Sequence, residues 1–330
     1  MTIHKIIPRK IRNGSEIRVI APVRSMGLIY EDGKLTAIKK ISEAGYKLSY
    51  GKHIDEMDVF ASSSVESRIE DLHDAFLDKN SDAILTVIGG YNSNQLLRYI
   101  DYDLIKNNPK IICGFSDVTA IANAITVKTG MITYIGPHFS SWGMEKGFEY
   151  SKEYFELACA QDKPFEIKKS EVWSDDPWYI DQDNRDFIKS EGPWILNEGH
   201  GVGTIYGGHV RCFNALQGTE YFPNLEDTIL FLEEDDEINP QLFDRELQSI
   251  IHQKDFSGVK AIIIGRFQKG TKMTIDLMKK IIKSKPELDS IPVVANLDFG
   301  HTAPIFTIPI GGVAEINVSA TDVRINIIEH

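Results

Sequence analysis

The chain has 330 residues, 42% hydrophobic and 25% charged, a balance that excludes disorder, collagen and a continuous coiled coil. Its 36 Lys and Arg residues against 48 Asp and Glu residues give a net charge of −12, which makes nucleic acid and anionic membrane surfaces unfavourable partners. The length predicts about two domains.

The cysteine content and the N-terminal segment indicate where the protein functions. Cys113, Cys159 and Cys212 are too few and too scattered for a disulfide framework or a zinc site, and unpaired thiols are typical of a reducing compartment. The first residues contain basic side chains but lack the apolar stretch of a secretory signal, and no run of about 18 apolar residues occurs. We therefore expect a soluble cytoplasmic protein.

Short apolar runs alternate with helical patterns over the first 140 residues. Predicted strands are RVIAP (18–22), YKLSYG, AILTVIGG, KIICG and MITYIG. Predicted helices cover 34–44 with Leu35, Ile38 and Ile41 on one face, a segment from Val65 behind a capping box at Ser63 and Glu66, 93–106, and a segment from Val118. Strands that are apolar on both faces predict a parallel sheet covered by helices, so we expect a flavodoxin-like or Rossmann-like α/β domain over 1–160.

The pattern changes after residue 160. Residues 161–200 are polar and rich in acidic side chains, and they include Trp173, Trp178 and Trp194, so we predict an irregular linker or substrate loop. The strands predicted after it are GVGTIYGG, TILFLEE, VKAIIIGRF, IPVVANLDF, IFTIPIGG and VRINII. They outnumber the helices predicted around 240–252 and 273–283, which indicates a β-rich α+β domain over 201–330.

The segment KIICGFSDVTAIANAI places Ser116 between a buried strand and a helix. This strand–turn–helix arrangement is typical of a nucleophile elbow, which presents a serine hydroxyl at the end of a sheet. The amide of Asp117 would lie at a helix N-terminus and donate to a developing oxyanion. The second glycine of G-x-S-x-G is missing, and a serine that merely caps the helix explains these residues equally well.

A second strand-to-helix turn lies in GGYNSNQLL. Gly89 and Gly90 permit a tight turn with exposed amides, which suits an anion or an oxyanion. The segment is neither G-x-G-x-x-G nor a phosphate-binding P-loop, so the nucleotide-fold fingerprints are absent. On spacing alone, an ordinary turn is the favoured interpretation.

Two further candidates, Glu233 in TILFLEEDDE and His301 in LDFGHTAP, each follow a predicted strand. A serine nucleophile needs a neighbouring base, and a histidine base needs a third group that fixes its tautomer. Ser116, His301 and Glu233 fit these roles, although a solvated acidic corner and a structural histidine are the competing interpretations. A metal site from His209, His301 and the acidic run has no supporting ligand spacing, so we predict no metal and no cofactor.

Five segments together closely resemble the LD-carboxypeptidase family of serine peptidases, and within it the microcin C self-immunity peptidases. They are GGYNSNQLLRYIDYDLIKNNPKIICGFSDVTAI, GPHFSSWGM, GGHVRCFNALQGTEYFP, ILFLEEDDE and DFGHTAP. The resemblance implies a flavodoxin-like domain, a β-rich domain and a Ser–Glu–His triad at their junction. It implies Ser116 as nucleophile, Glu233 and His301 as its partners, and the amides of Gly90 and Asp117 as oxyanion donors.

Candidate substrate contacts also follow from the resemblance. We expect Asn92, beside the glycine pair, and His209 to contact substrate; His209 stands where GGN is expected in much of the family. In the microcin C branch a loop like WSDDPW recognises the nucleotide, which implies Trp178 as an aromatic platform and Trp173 as the second choice. A loop that its tryptophans pin to the body of the protein is the competing interpretation.

The sequence thus predicts a serine peptidase or amidase that hydrolyses the amide of a microcin C-type aminoacyl-nucleotide. The alternative is a murein tetrapeptide LD-carboxypeptidase of peptidoglycan recycling, and a more remote one is a non-catalytic protein that binds small ligands. The family implies a homodimer and a small-molecule or short-peptide substrate. Neither nucleic acid nor a membrane is expected as a partner.

Overall fold

The computed structural model describes residues 4–330, which form two large sheets and the helices that cover them. In chain order the strands are β1 (Glu16–Ile20), β2 (Lys47–Tyr50), β3 (Ala83–Thr86), β4 (Ile111–Gly114), β5 (Thr133–Ile135), β6 (Phe165–Ile167), β7 (Val172–Trp173), β8 (Ile188–Lys189), β9 (Trp194–Asn197), β10 (Gly199–His209), β11 (Thr228–Glu233), β12 (Val259–Gly265), β13 (Val293–Leu297), β14 (Ile308–Ile310), β15 (Val313–Val318) and β16 (Val323–Glu329). The α-helices are α1 (Glu31–Glu43), α2 (Val65–Leu77), α3 (Tyr102–Asn107), α4 (Val118–Thr129), α5 (Glu149–Ala160), α6 (Val210–Asn214), α7 (Pro240–Ile251) and α8 (Ile275–Lys283). Within 4–330, every helix is too short or too polar to cross a membrane.

The N-terminal sheet has the strand order β14–β5–β4–β3–β1–β2. Its first five strands in the chain are parallel, and β14 adds an antiparallel edge. The parallel part has the order β2–β1–β3–β4–β5 of flavodoxin-like folds, in which ligands bind at the carboxyl ends of the strands. The predicted flavodoxin-like domain is confirmed.

The C-terminal sheet has the order β6–β16–β15–β10–β11–β12–β13–β9. Its central strands, β10 to β13, are parallel, so their carboxyl ends share one edge. This sheet confirms the predicted β-rich part. Because β6 and β9 belong to it, the segment 161–200 is not irregular throughout, which corrects that expectation. The division at 160 and 201 stays a prediction, and β14 carries the chain back to the N-terminal sheet.

One apolar cluster contains residues of both sheets, including Val19 and Leu85 of the N-terminal sheet and Phe231 of the C-terminal sheet. Ile20 follows Val19 in β1, and Ile84 precedes Leu85 in β3. Both belong to a separate cluster that contains residues of α2 and α4. Successive strand residues point to opposite faces of a sheet. The sheet is therefore covered on both faces, which explains the continuously apolar strands.

The predicted face of α1 is wrong. Ile41 is buried, but Leu35 is 56% and Ile38 39% exposed, while Ala37 is fully buried. Ala37 and Ile41 are four residues apart, the spacing that places two side chains on one face of a helix. The buried face of α1 is therefore the one that carries Ala37 and Ile41, and Leu35 and Ile38 lie at its side.

Two predicted helix starts also differ from the structure. Ser64, not Ser63, caps α2, because its side chain accepts a hydrogen bond from a backbone amide of the first turn. The single helix predicted over 93–106 is a short 3₁₀ turn followed by α3, which the side chain of Asp101 caps. A cap residue in the middle of an apolar pattern divides the helix. The twelve-residue helix α5 and the five-residue helix α6 were not predicted.

Candidate active site

Ser116 occupies the tight turn between β4 and α4. Its φ is +64°, a left-handed conformation that is uncommon for residues other than glycine and that stores backbone strain. The loop after β3 approaches this turn so closely that a Cβ on Gly89 would lie 2.6 Å from Ser116 Cβ. Glycine at position 89 therefore permits the close packing of the two loops, and the turn has the geometry of a nucleophile elbow.

Two side chains from the C-terminal half form a hydrogen-bonded chain with Ser116. His301, in the loop after β13, places Nε2 3.1 Å from Ser116 Oγ. Its Nδ1 lies 2.7 Å from Oε2 of Glu233, the last residue of β11. The Glu233 side chain is 1% exposed, so this carboxylate meets the imidazole away from bulk water. The structure thus brings together the three residues that the sequence singled out.

The amides of Gly90 and Asp117 flank the serine. Both residues line a pocket with Ser116, and neither backbone nitrogen has a backbone acceptor within residues 4–330. The Asp117 carboxylate accepts hydrogen bonds from the Ser93 amide at 2.8 Å and the Cys212 thiol at 3.4 Å. The bond from Ser93 ties the loop after β3 to the start of α4, and the bond from Cys212 ties α6 to it. Free amides beside a serine hydroxyl suit a developing oxyanion.

The pocket beside Ser116 has a volume of about 170 Å³, and much of its lining is charged. The Arg211 guanidinium forms salt bridges with Asp235 at 2.5 Å and with Glu237 at 3.2 Å. The exposed Tyr91 donates its hydroxyl hydrogen to Glu237 at 2.6 Å, which links the loop after β3 to the loop after β11. Tyr91 and Arg211 were not among the residues selected from the sequence, although Arg211 stands two positions from His209. Asp235 and Glu237 were considered only as members of the acidic run.

His209 ends β10 and pairs in register with Glu233 of the neighbouring strand. Its Nε2 lies 3.3 Å from Glu234 Oε2 and 3.4 Å from Asp235 Oδ2, and its ring centroid is 5.4 Å from that of His301. Burial alone would lower the pKa of His209, but contacts with Asp235 and Cys212 outweigh it and raise the pKa well above its usual range. Burial would raise the pKa of Asp235, and the contact with His209 instead lowers it.

Asn92 is not brought to the pocket. Its side-chain amide donates to Ser62 Oγ at 2.9 Å, and its side-chain oxygen accepts from the buried Arg68 at 3.0 Å. These bonds hold the loop after β3 against α2 and the segment before it, on residues that do not line the pocket. A buried guanidinium thus engages the Asn92 side chain, and its expected contact with substrate stays a prediction.

The tryptophan-rich segment runs beside the loop that carries His301. Ser174 and Ala303 exchange two backbone hydrogen bonds of 2.7 and 2.9 Å. Trp173 lies under Arg266, whose guanidinium carbon is 5.1 Å from the ring centroid. Trp178 is partly buried and packs against the cluster shared by the sheets.

Comparisons with known proteins agree with this architecture. The family model of the LD-carboxypeptidase N-terminal domain matches residues 17–136, and that of the C-terminal domain matches 202–316. YocD, a provisionally named carboxypeptidase of Bacillus subtilis (strain 168), is 50% identical over 97% of this chain and 99% of its own length.

Two solved structures are similar over nearly the whole chain. An MccF-like protein from Bacillus anthracis str. Ames has a TM-score of 0.97 at 52% identity, covering 98% of this chain and 100% of that one. The microcin C7 self-immunity protein MccF, known from Escherichia coli, has been solved in complex with aspartyl sulfamoyl adenosine. That structure has a TM-score of 0.89 at 26% identity and covers 98% of this chain and 99% of its own.

Proposed function

The chain belongs to the LD-carboxypeptidase family of peptidases, and we propose that it hydrolyses amide bonds with Ser116 as its nucleophile. The observation that carries this proposal is the continuous chain from Ser116 Oγ through His301 to Glu233, with distances of 3.1 and 2.7 Å. A serine, a histidine and a buried carboxylate in this order form the constellation of serine hydrolases on unrelated folds.

The chemistry follows from the position of each atom. Ser116 Oγ attacks the carbonyl carbon while His301 Nε2 takes the hydroxyl proton, and the same nitrogen later donates that proton to the leaving amine. Glu233 accepts the hydrogen on His301 Nδ1 and stabilises the imidazolium. The amides of Gly90 and Asp117 donate to the oxyanion, and water then releases the acyl group by the reverse sequence.

The proposed substrate is an aminoacyl-nucleotide of the microcin C type, cleaved at the amide between the amino acid and the nucleotide part. The support is the similarity to MccF-like proteins and the MccF complex with aspartyl sulfamoyl adenosine. Trp178 remains our choice for the surface that stacks on the base, because Arg266 already covers Trp173. We also propose that the protein is a homodimer and that it functions in the cytoplasm. Light scattering on the purified chain tests the dimer by its molar mass.

The second candidate substrate is a murein tetrapeptide, whose support is the match of both LD-carboxypeptidase domain models. The test is kcat/KM of the purified protein for aspartyl sulfamoyl adenosine and for an L,D-linked tetrapeptide, with Ser116→Ala as the blank. We expect the nucleotide substrate to be preferred. A preference for the tetrapeptide would assign the second function.

A non-catalytic binding protein is the remaining alternative. An activated serine reacts with a fluorophosphonate, whereas a serine that only caps a helix does not. We expect peptide mass spectrometry to find the adduct on Ser116. If both substrates are bound without turnover and Ser116 stays unlabelled, the binding alternative is correct.

A further inference from the structure

His209 is a buried histidine, and the residue is 4% exposed. Within residues 4–330 its Nδ1 has no hydrogen-bond partner, and its Nε2 faces two carboxylate oxygens at 3.3 and 3.4 Å without hydrogen-bond geometry. Buried polar atoms are nearly always satisfied, so an exception requires an explanation. The proposed hydrolysis uses His301 as base and needs no second imidazole.

The surroundings of His209 are those of a cation site. One ligand atom from each of His209, Asp235 and His301 lies within 4.8 Å of the other two. Asp235 binds Arg211 through Oδ1, which leaves Oδ2 directed to His209 at 3.4 Å. The carboxylate of Glu234 adds negative charge 3.3 Å from the same ring.

The donor set indicates which cation would bind. Two imidazoles and one carboxylate are typical of zinc sites that keep an open fourth position, whereas Mg²⁺ and Ca²⁺ prefer oxygen ligands. Zinc–ligand bonds of about 2.0–2.1 Å place ligand atoms about 3.4 Å apart. Side-chain rotations that bring the donors up to about 1.4 Å closer would therefore close the site.

We propose that His209, Asp235 and His301 bind Zn²⁺ as an inhibitory site. Glu233 occupies Nδ1 of His301, so the metal takes the lone pair of Nε2, the atom that faces Ser116 Oγ. A coordinated Nε2 cannot accept the serine proton, and Zn²⁺ and general-base catalysis therefore exclude each other. This inference rests on the proposed role of His301, while the metal binding itself does not.

Zinc chloride titrated into the purified protein tests the proposal by two readouts. The first is the initial rate of hydrolysis, which we expect Zn²⁺ to abolish reversibly while equal concentrations of Mg²⁺ and Ca²⁺ leave it unchanged. The second is calorimetric Zn²⁺ binding to Ser116→Ala, which retains all three ligands and reports binding without turnover.

Variants in the Ser116→Ala background locate the site. We expect His209→Asn and Asp235→Asn each to weaken zinc binding at least tenfold. His53→Asn removes a histidine that contacts Glu56 and Glu70 far along the chain from the site, and it should leave the affinity unchanged. Zinc binding of equal affinity in His209→Asn, or no binding at all, overturns the proposal. Site-dependent binding in a protein that hydrolyses nothing would instead refute the proposed function and leave the zinc site in place.

Discussion

Replacement of Glu233 by glutamine tests the bond that orients His301. Glu233 Oε2 lies 2.7 Å from His301 Nδ1, and glutamine keeps the size of the side chain but removes the charge that stabilises the imidazolium. Replacing this carboxylate by an amide in a serine triad lowers kcat by about 10⁴-fold, equivalent to about 5.4 kcal/mol of transition-state stabilisation. We expect a loss of that size for Glu233→Gln in steady-state hydrolysis of the aminoacyl-nucleotide.

Glu234→Gln is the matched control, because the two carboxylates are adjacent and equally buried. The Glu234 carboxylate accepts the Arg211 amide and Nε hydrogens, both at 3.1 Å. Weakening these bonds is expected to cost about 1–3 kcal/mol of stability, seen as a lowered Tm. We expect kcat to stay within about tenfold of the wild-type value, a change of less than about 1.4 kcal/mol in the activation free energy. Equal kcat losses in two folded variants, or a larger loss for Glu234→Gln, would refute the assignment of Glu233.

Three further outcomes are expected. Trp178→Ala should raise KM for the aminoacyl-nucleotide about tenfold and barely affect a tetrapeptide, because stacking on a base is worth about 1–3 kcal/mol; equal losses on both substrates with a lowered Tm would make Trp178 structural. Burial lowers the pKa of His138 from 6.5 to about 3, so the unfolded chain binds a proton that the folded chain does not. The free energy of unfolding should therefore fall as the pH drops from 6.5 towards 3, and denaturant titrations of His138→Gln should show a smaller fall; an identical pH dependence contradicts this. Hydrolysis should persist in excess EDTA, since the proposed chemistry uses no metal, and activity that is lost to EDTA and restored by a metal would contradict the serine mechanism.

The strand-end residues could be predicted from the sequence because their signal is local. Ser116, Glu233 and His301 each follow a short apolar run, and the carboxyl ends of parallel strands are where α/β folds bind ligands. The full strand order, which places β15 beside β10 and β14 beside β5, depends on pairings distant in sequence. The cluster of His209, Asp235 and His301 also depends on the pairing of β11 with β12 and of β12 with β13, which brings the loop after β13 to the same edge of the sheet. No local ligand spacing therefore predicts it.

The surroundings of other side chains depend on neighbours that the sequence does not specify. Trp178 stands among polar residues yet packs against the shared core. Leu35 and Ile38 follow a helical period yet lie largely outside the buried face of α1. Asn92 follows a glycine turn next to the site, but its side-chain oxygen accepts a hydrogen bond from Arg68 of α2. Each outcome is decided by tertiary packing rather than by local pattern.

The kcat of Ser116→Ala tests the central claim most directly, because Ser116 Oγ is the protein atom that forms a covalent bond to substrate in the proposed mechanism. With the better of the two substrates, removal of the nucleophile is expected to lower kcat by about 10⁴-fold or more while substrate binding survives. A folded Ser116→Ala protein that hydrolyses the substrate at the wild-type rate would contradict the serine mechanism.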